Sequence, residues 1–567
     1  MGSTYLTKID YLLSNQHIIE TIPKKSTKTN ITAQLKTLTI AQQSVYTQIN
    51  ISSKPTILYG ITGSGKTEIY LQLVLQQLQK KKQVLILYPE INLTPMLRSR
   101  FDHAFPDTNI IILNSQVTNP KRLEYYQQIK DGHAQIIMGT RLSLFSPFCN
   151  LGLIIVDEEH DNSFKQEDNL PYHARNIAVW LANRYRIPIV LGSATPSLES
   201  LYNYKVGKYN LVKLETRATD NAILPKIELI DSTLLKPNNA GICYPTLQAI
   251  QECIDRKQMC LIYINRRGYA PVVICNECNH IIKCINCNCN MVLHGKNRLL
   301  CHYCGYQNTL PSQCPSCNQN SLSGIGTGTQ NIEEFITTHF SNSNILRIDR
   351  DNTSSKHAWD DIYTKLNHHK VDIIIGTQML AKGHDFANLS LVVCVDVDNA
   401  LYSPSYNAIT QMYSTLTQVS GRAGRADNKG RVIIQTRFPQ EKIFSYLKAH
   451  DFLGWVNYIL NERKQFHLPP YSHQAKIKFQ SSNELDLATL HTHIMSRIIQ
   501  HKTNKEIIVY SPVFDAMAKI NNIYHSHMLI QSNLRGRLHN YLVTEMLPQL
   551  KLLNNKLYFK VDIDFIN

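Results

Sequence analysis

At 567 residues, 43% of them hydrophobic and 18% charged, the chain has the composition of several ordinary globular domains of roughly 100 to 200 residues each. That excludes a disordered tail, a collagen-like fibre and a membrane-embedded bundle. Fifty-nine Lys+Arg against 43 Asp+Glu leave a formal charge of +16. A phosphate backbone is the partner such a surface fits first, because released counterions drive binding where no base is read; a merely solubilising basic surface is the alternative.

Residues 1–37 are polar and Lys/Thr-rich, carry no secretory h-region, and read as a linker or the remnant of an N-terminal DNA-binding region. The longest apolar runs, such as Leu151 to Val156, fall far short of a bilayer span, so a cytoplasmic protein without a membrane partner is expected. Between 38 and 215, short apolar runs at Thr56 to Tyr59, Val84 to Leu87, Ile136 to Met138, Leu153 to Val156 and Ile189 to Leu191 alternate with helix-length stretches. This rhythm predicts an α/β lobe with a parallel sheet covered by helices on both faces.

The first of these runs leads into Gly60-Ile-Thr62-Gly63-Ser64-Gly65-Lys66-Thr67 and a helical stretch, Glu68 to Gln79. In a strand-loop-helix setting the glycines let backbone N–H groups curl around phosphates, Lys66 reaches the β/γ oxygens of ATP, and Thr67 holds Mg²⁺. A glycine-rich turn without a ligand is the alternative. Further on, the run ending at Val156 is followed by Asp157, Glu158, Glu159 and His160. After a phosphate loop, an acid at a strand's carboxyl edge suits Mg²⁺ (Asp157) and the next suits orienting the attacking water (Glu158).

The rhythm returns at Cys260 to Ile264, Ile345 to Ile348, Ile373 to Ile375, Leu391 to Val395 and Val432 to Gln435, predicting a second lobe over 216–270 and 324–440. It is interrupted at 271–323 by eight of the 14 cysteines, arranged as Cys275/Cys278, Cys284/Cys287, Cys301/Cys304 and Cys314/Cys317. A C-x-x-C knuckle turns two thiolates to one point, so four knuckles predict two structural Zn²⁺ sites; a redox dithiol or an iron–sulfur cluster is the alternative. Spacing alone allows consecutive or nested pairing. Cys289, Cys149, Cys243, Cys253, Cys260 and Cys394 read as small buried thiols. Near the end of the second lobe, Gln418-Val-Ser-Gly421-Arg422-Ala-Gly424-Arg425 places Arg422 and Arg425 on one predicted helix face. A guanidinium there would meet the γ-phosphate when the lobes close; phosphate-backbone contact or a salt-bridged surface is the alternative. Residues 441–567 read as a helical segment, the turn Leu468-Pro469-Pro470-Tyr471, and a separate α+β domain with Phe559, Val561, Ile563 and Phe565 on one face.

The order of GSGKT, DEEH, Gly192-Ser-Ala-Thr-Pro196 and QVSGRAGR resembles a superfamily 2 helicase with two RecA-like lobes. With the cysteine insertion and Leu261-Ile-Tyr-Ile-Asn-Arg-Arg-Gly-Tyr-Ala-Pro271 before it, the chain resembles the PriA family of primosomal replication-restart helicases from about Leu38 onward. The resemblance implies that Gln42 reads adenine, and that Tyr88 to Thr94 and Gly139 to Phe145, with Arg141, track a strand. It implies that Ser193 and Thr195 link hydrolysis to DNA, and that Thr377, Gly383 and Asp385 belong to the motif at the lobe interface. By the same resemblance, Ser163 to Arg175 is an aromatic-rich loop that senses single-stranded DNA through Phe164, Lys165, Tyr172 and Arg175; stacking faces beside cations suit that task. From the residues alone, ordinary core packing suits the segment equally. The resemblance further implies nested zinc pairs: Cys275, Cys278, Cys314 and Cys317 on one ion, and Cys284, Cys287, Cys301 and Cys304 on the other.

Family members carry a 3′-end-binding domain and a winged helix ahead of the ATPase, whereas 37 residues precede the motor here, so the expectation is either a truncated product or fork-end recognition supplied elsewhere. The expected activity is an ATP-dependent, Mg²⁺-requiring helicase moving 3′ to 5′ on single-stranded and forked DNA and restarting replication as a monomer. Its expected partners are other primosome proteins, a replicative helicase loader and single-stranded DNA-binding protein. A duplex translocase without strand separation and a non-enzymatic zinc scaffold are the rivals.

Overall fold

The first lobe is built from strands whose residues have no polar face to offer. β1 (Thr56–Gly60), β2 (Gln83–Leu87), β3 (Ile110–Leu113), β4 (Ile136–Gly139), β5 (Leu151–Asp157), β8 (Ile189–Ser193) and β9 (Asn210–Leu214) form an all-parallel sheet in the order β3-β4-β2-β5-β8-β1-β9. Two short strands, β6 (Lys165–Gln166) and β7 (Tyr172–His173), make a separate hairpin between β5 and β8. Every residue of β1, β2 and β4 is buried. Alternate side chains feed opposite cores: Val84, Ile86, Leu153 and Ile155 meet one helical layer, Leu85, Leu87, Ile154 and Val156 the other. Continuous apolar runs are what a sheet covered on both faces requires.

This architecture is taken from a computed structural model, which describes residues 32–89, 95–168, 170–217, 224–264, 272–275, 277–278, 280–286, 290–294, 297–301, 306–325, 329–348, 362, 366, 371–377, 388–403, 405–424, 430–499, 506–552 and 557–565.

The second lobe repeats the plan. β10 (Lys226–Asp231) and β11 (Met259–Ile264) precede an insertion of five short antiparallel strands, β12 (Val272–Cys275), β13 (Val292–His294), β14 (Arg298–Leu300), β15 (Gln307–Thr309) and β16 (Leu322–Ile325). The lobe resumes with β17 (Ile345–Ile348), β18 (Ile373–Gly376), β19 (Leu389–Val395) and β20 (Arg431–Thr436), giving the parallel order β10-β20-β19-β11-β18-β17. Three strands of the two parallel sheets escaped the sequence reading: β3, β9 and β10. The last two carry lysines and acids at sheet edges, where one side of the strand meets solvent and the apolar run is broken.

Beyond β20, the expected boundary at 440 shifts. Ile443, Phe444, Leu447, Phe452, Trp455, Val456 and Leu460, on helices Lys442–Lys448 and Phe452–Gln465, enter the same core as Tyr413, Leu416 and Val432 of the second lobe. Trp455 stacks on Tyr413 at 5.2 Å and 8°. The helical segment thus belongs to the lobe's packing. The terminal domain proper is a five-stranded antiparallel sheet of β21 (His473–Ser481), β22 (Ile507–Val509), β23 (Val513–Ile520), β24 (Ile523–Ser532) and β25 (Tyr558–Ile563). Ala475, Ile477 and Phe479 pair with Ile563, Val561 and Phe559 and point inward, the alternation of a sheet with one wet face. Phe565 lies past the end of β25 but is buried too. At the far end, Met517 and Ile520 pack on the cysteine insertion, and Asn522 N–H donates to the Asn286 carbonyl at 2.9 Å. No helix among the described residues is long and apolar enough to cross a membrane.

Candidate nucleotide-binding site and its surroundings

The loop after β1 gets its shape from backbone conformations that side chains resist. Gly63 and Gly65 have φ of 82° and 81°, and Gly65 sits at the N-cap of helix Lys66–Gln79 without any side-chain cap. Glu68 N–H donates to the Gly65 carbonyl at 3.0 Å, while those of Lys66 and Thr67 have no backbone partner among the described residues; with the positive end of the helix dipole they make a seat for an anion. Lys66 Nζ donates to the Gly60 carbonyl at 2.8 Å, which among the described residues leaves two of its three protons for a ligand. Ser64 Oγ is buried without a hydrogen-bond partner among the described residues. These groups fit a nucleotide's phosphates, and Thr67, on the first helical turn, and Asp157 fit its Mg²⁺.

Gln42 sits beside the phosphate loop. It is buried at the third position of helix Ile40–Asn50; its Oε1 accepts from Thr39 N–H (3.0 Å) and its Nε2 donates to the Ser64 carbonyl (3.1 Å). The side chain thus braces the phosphate loop.

At the carboxyl end of β5, Asp157 accepts a hydrogen bond from Tyr70 Oη at 2.8 Å. Burial pushes the Asp157 carboxyl up to about 6, and Glu158 adds to the rise; Lys66 and the Tyr70 hydrogen bond oppose it. A carboxylate so short of positive charge is ready for a cation. Glu158, with a left-handed φ of 49°, accepts from Gln418 Nε2 at 3.0 Å. Gln418 Nε2 also lies 3.1 Å from His160 Nε2, while His160 Nδ1 lies 2.7 Å from Ser193 Oγ, which accepts from Thr195 N–H at 2.8 Å. Gln418 comes from helix Ala408–Ser420 of the second lobe. A continuous polar chain therefore runs from Glu158 through the other lobe's glutamine to Ser193 and Thr195. Gln418 and Tyr70 were given no role from the sequence. Gln418 stood inside a recognised motif, but Tyr70 carried no signal beyond its place one turn into the helix.

The arginine motif requires a correction. The helix ends at Ser420, and Gly421 to Gly424 form turns, so Arg422 cannot share a helix face with Arg425. A helix cannot run through Gly424, whose φ is 70°, and the lobes approach closely here: a Cβ on Gly421 would lie 2.7 Å from the Thr62 side chain. Arg422 is buried just past the helix end; Arg425 lies outside the described residues, as do Gly383 and Asp385. Thr377 is half-buried just past β18. Arg217, which the sequence reading missed, donates from Nη1 to the Gly424 carbonyl at 2.7 Å and so ties the stretch between the two sheets to this turn.

The segment expected to sense DNA is also placed differently. Phe164 is 1% exposed in the first-lobe core, and Lys165 and Arg175 are buried. Arg175 Nη1 donates to Glu159 Oε2 at 2.9 Å and to Ser197 Oγ at 2.5 Å; Glu159, fully buried, also accepts from Ser197 N–H and Ser200 Oγ. Arg141 Nη1 donates to the carbonyls of Ser163 (3.1 Å) and Lys165 (2.8 Å). Lys165 binds the terminal domain. Lys165 and Arg175 are internal in this structure and Arg141 is half-buried, because each has acceptors from other parts of the chain within reach. Tyr172 is half-buried, edge-on to the partly exposed Phe145 at 5.4 Å.

In the insertion, the ligand atoms of Cys275, Cys278, Cys314 and Cys317 all lie within 4.8 Å of one another; Cys275–Cys317 and Cys278–Cys314 are each 3.6 Å apart. Tetrahedral Zn–S bonds of about 2.3 Å place sulfurs about 3.8 Å apart, so the set fits one zinc ion. It also decides the pairing for these four: nested, not consecutive. Cys284 and Cys301 are buried together in the insertion's small core, while Cys287, Cys304 and Cys289 lie outside the described residues. Of the remaining cysteines, Cys243, Cys253, Cys260 and Cys394 are buried; Cys149 is only half-buried, its thiol 3.4 Å from Gln83 Oε1.

Three family models match the chain: DEAD/DEAH box helicase over residues 39–204, helicase conserved C-terminal domain over 325–427, and primosomal protein N C-terminal domain over 464–565. The replication restart protein PriA of Haemophilus influenzae is 39% identical over 511 residues, 90% of this chain and 69% of that one. PriA of Rickettsia felis is 38% identical, covering 96% of this chain and 83% of its own, and that of Bacillus subtilis 34%, covering 84% and 59%.

Proposed function

The chain belongs to the PriA family of replication restart proteins, and from that premise we propose that it is a 3′-to-5′ motor which separates strands at stalled forks and starts primosome assembly. It is an ATP-dependent DNA helicase of replication restart. The observation that carries the motor is the polar chain from Glu158 through Gln418 and His160 to Ser193: it crosses from one lobe to the other beside the phosphate loop. ATP would sit with its phosphates on the loop 60–67 and its Mg²⁺ held by Thr67 and Asp157; the ion supplies charge to the leaving phosphates. Around them this chain's residues divide the work. Lys66 directs its free protons at the phosphates, Glu158 orients the attacking water, and Arg422 and Arg425 supply positive charge from the second lobe. Gln418 exchanges its hydrogen bond with Glu158 as the site turns over, and the second lobe moves with it. Gln42 holds the loop and reads the adenine edge.

Arg141, Tyr172 and Thr377 belong on the DNA path in this reading, together with Phe164, Lys165 and Arg175 once their segment opens. Two structural zinc ions, one on Cys275, Cys278, Cys314 and Cys317 and one on Cys284, Cys287, Cys301 and Cys304, shape the insertion as a surface for DNA and primosome partners. A helicase loader and single-stranded DNA-binding protein are the partners expected, in the cytoplasm.

Strand displacement measured in parallel with ATPase tests the reading, on forks with either a 3′ or a 5′ loading strand. ATP-dependent displacement from the 3′ loading strand supports it. Hydrolysis without displacement makes the protein a duplex translocase, displacement from the 5′ strand alone reverses the direction, and no hydrolysis leaves a scaffold. Cys278→Ser should lower bound zinc by one ion per chain and leave basal ATPase nearly intact; an unchanged zinc content removes the outer site.

A further inference from the structure

Lys165 carries the observation that reaches furthest beyond the motor. Its side chain is 1% exposed, and that of Asp562, on β25 of the terminal domain, is 4% exposed. Nζ lies 2.6 Å from Asp562 Oδ1 and donates also to the carbonyls of Ile563 (3.0 Å) and Asp564 (3.1 Å). An ammonium has three protons, and all three are used. A buried ion pair is tolerable when its hydrogen bonds are this complete.

Both ends of the contact are themselves tied down. Asp564 is held by Arg535 Nη2 at 3.0 Å, and neighbouring Lys560 donates to the Glu167 carbonyl. On the other side, Arg141 grips the carbonyls flanking Phe164, and Arg175, at the far end of the β6–β7 hairpin, binds Glu159 within the Asp157-Glu158-Glu159-His160 run. The terminal strand, the hairpin and the acidic end of β5 thus form one connected path, with Lys165 where the terminal domain joins it. Along that path the faces and cations that suit a single strand are turned inward.

We infer that the Lys165–Asp562 contact is an interdomain latch through which the terminal domain holds the 163–175 segment folded inward and so sets how strongly DNA accelerates ATP hydrolysis. The inference rests on the ATPase reading above. Lys165 and Asp562 are positioning residues here: closed, the latch keeps Glu159 and its neighbours in the DNA-free arrangement; opened, it lets the segment face a strand.

The test uses the full chain with Asp562→Asn, which keeps shape and loses charge, and Lys165→Met. ATPase is measured with and without single-stranded DNA, alongside hydrogen exchange. Both variants should hydrolyse ATP faster than wild type without DNA, and the stimulated-to-basal ratio should fall about five-fold or more, the lower end of ordinary coupling between sites. The double variant should fall no further, since the two act as one contact. Exchange should quicken at 162–168 and 558–565 while β1 and β5 stay protected. A wild-type ratio in both variants, or basal and stimulated rates falling together with exchange quickening throughout, overturns the latch. Wild-type chain inert toward ATP removes instead the ATPase reading on which it rests.

Discussion

Two segments that follow β1 and β5, strands of one sheet with β8 between them, were each read as phosphate-seeking, and the fold treats them in opposite ways. The loop after β1 and the acid at the end of β5 hold their groups open: the N–H groups of Lys66 and Thr67, a lysine whose hydrogen bond among the described residues goes to the Gly60 carbonyl, and Asp157 with its carboxyl pushed up to about 6 by burial. The segment after β5 is closed on itself: Arg141, Lys165 and Arg175 all have protein acceptors, and Asp564 beside Lys165 is pulled below the usual range; burial would raise it, but His473 and Arg535 outweigh that. One carboxylate waits for a cation and the other already has one. A cation in a motif is thus a ligand-binding group only where the fold leaves its protons unclaimed.

Removing the open lysine should have the largest effect. Lys66→Ala is expected to slow hydrolysis about 1,000-fold, equivalent to about 4 kcal/mol of transition-state stabilisation, and to leave DNA affinity within about two-fold of wild type. Steady-state ATPase and fluorescence anisotropy check it. Equal loss of both would make the loop a structural turn and erase the contrast.

On the closed side the effect should appear as stability. Arg175→Ala leaves Glu159 fully buried without its cation and is expected to cost about 3 to 5 kcal/mol in urea unfolding. A variant as stable as wild type that binds single-stranded DNA weakly would instead show that Arg175 contacts DNA directly.

The contrast also explains what could be read from the sequence. The phosphate loop was legible because Gly63, Gly65, Lys66 and Thr67 do their work within one turn of chain, where spacing is geometry. Ten strands were legible because parallel strands covered on both faces are unbroken apolar runs; β9 and β10, at sheet edges, are not. The outer cysteine set needed only two knuckles to meet, yet spacing could not choose nested over consecutive pairing. The partners of Lys165 and Glu158 lie hundreds of residues away, on Asp562 and Gln418, and no local pattern records such a meeting. Nor could the pattern show that the helix stops at Ser420, or that Gly421 beyond it lies against Thr62 of the other lobe, which occupies the space a side chain would need.

The smallest effect comes from Tyr70, and it sharpens the comparison most. The Asp157 carboxyl is raised in the fold from 3.8 to about 6, so between those values the native state binds more protons than the unfolded chain. Stability contributed by this group is therefore full below pH 4 and is lost as pH rises through about 6, a loss of about 3 kcal/mol at one pK unit per 1.4 kcal/mol. The Tyr70 hydroxyl opposes the rise by donating to the ionised form. Tyr70→Phe removes that donor, so the carboxyl should titrate higher still, and the window of falling stability should extend to higher pH. The added cost above pH 7 is expected to be about 1 kcal/mol, the worth of one such hydrogen bond. Urea midpoints measured from pH 4 to 8 without divalent cations, in wild type and variant, give the difference directly. If the two curves stay parallel, the hydroxyl does nothing for the charge on Asp157; the lowered Asp564 carboxyl adds no slope in this range, because its contribution is lost only as pH falls below its unfolded value of 3.8.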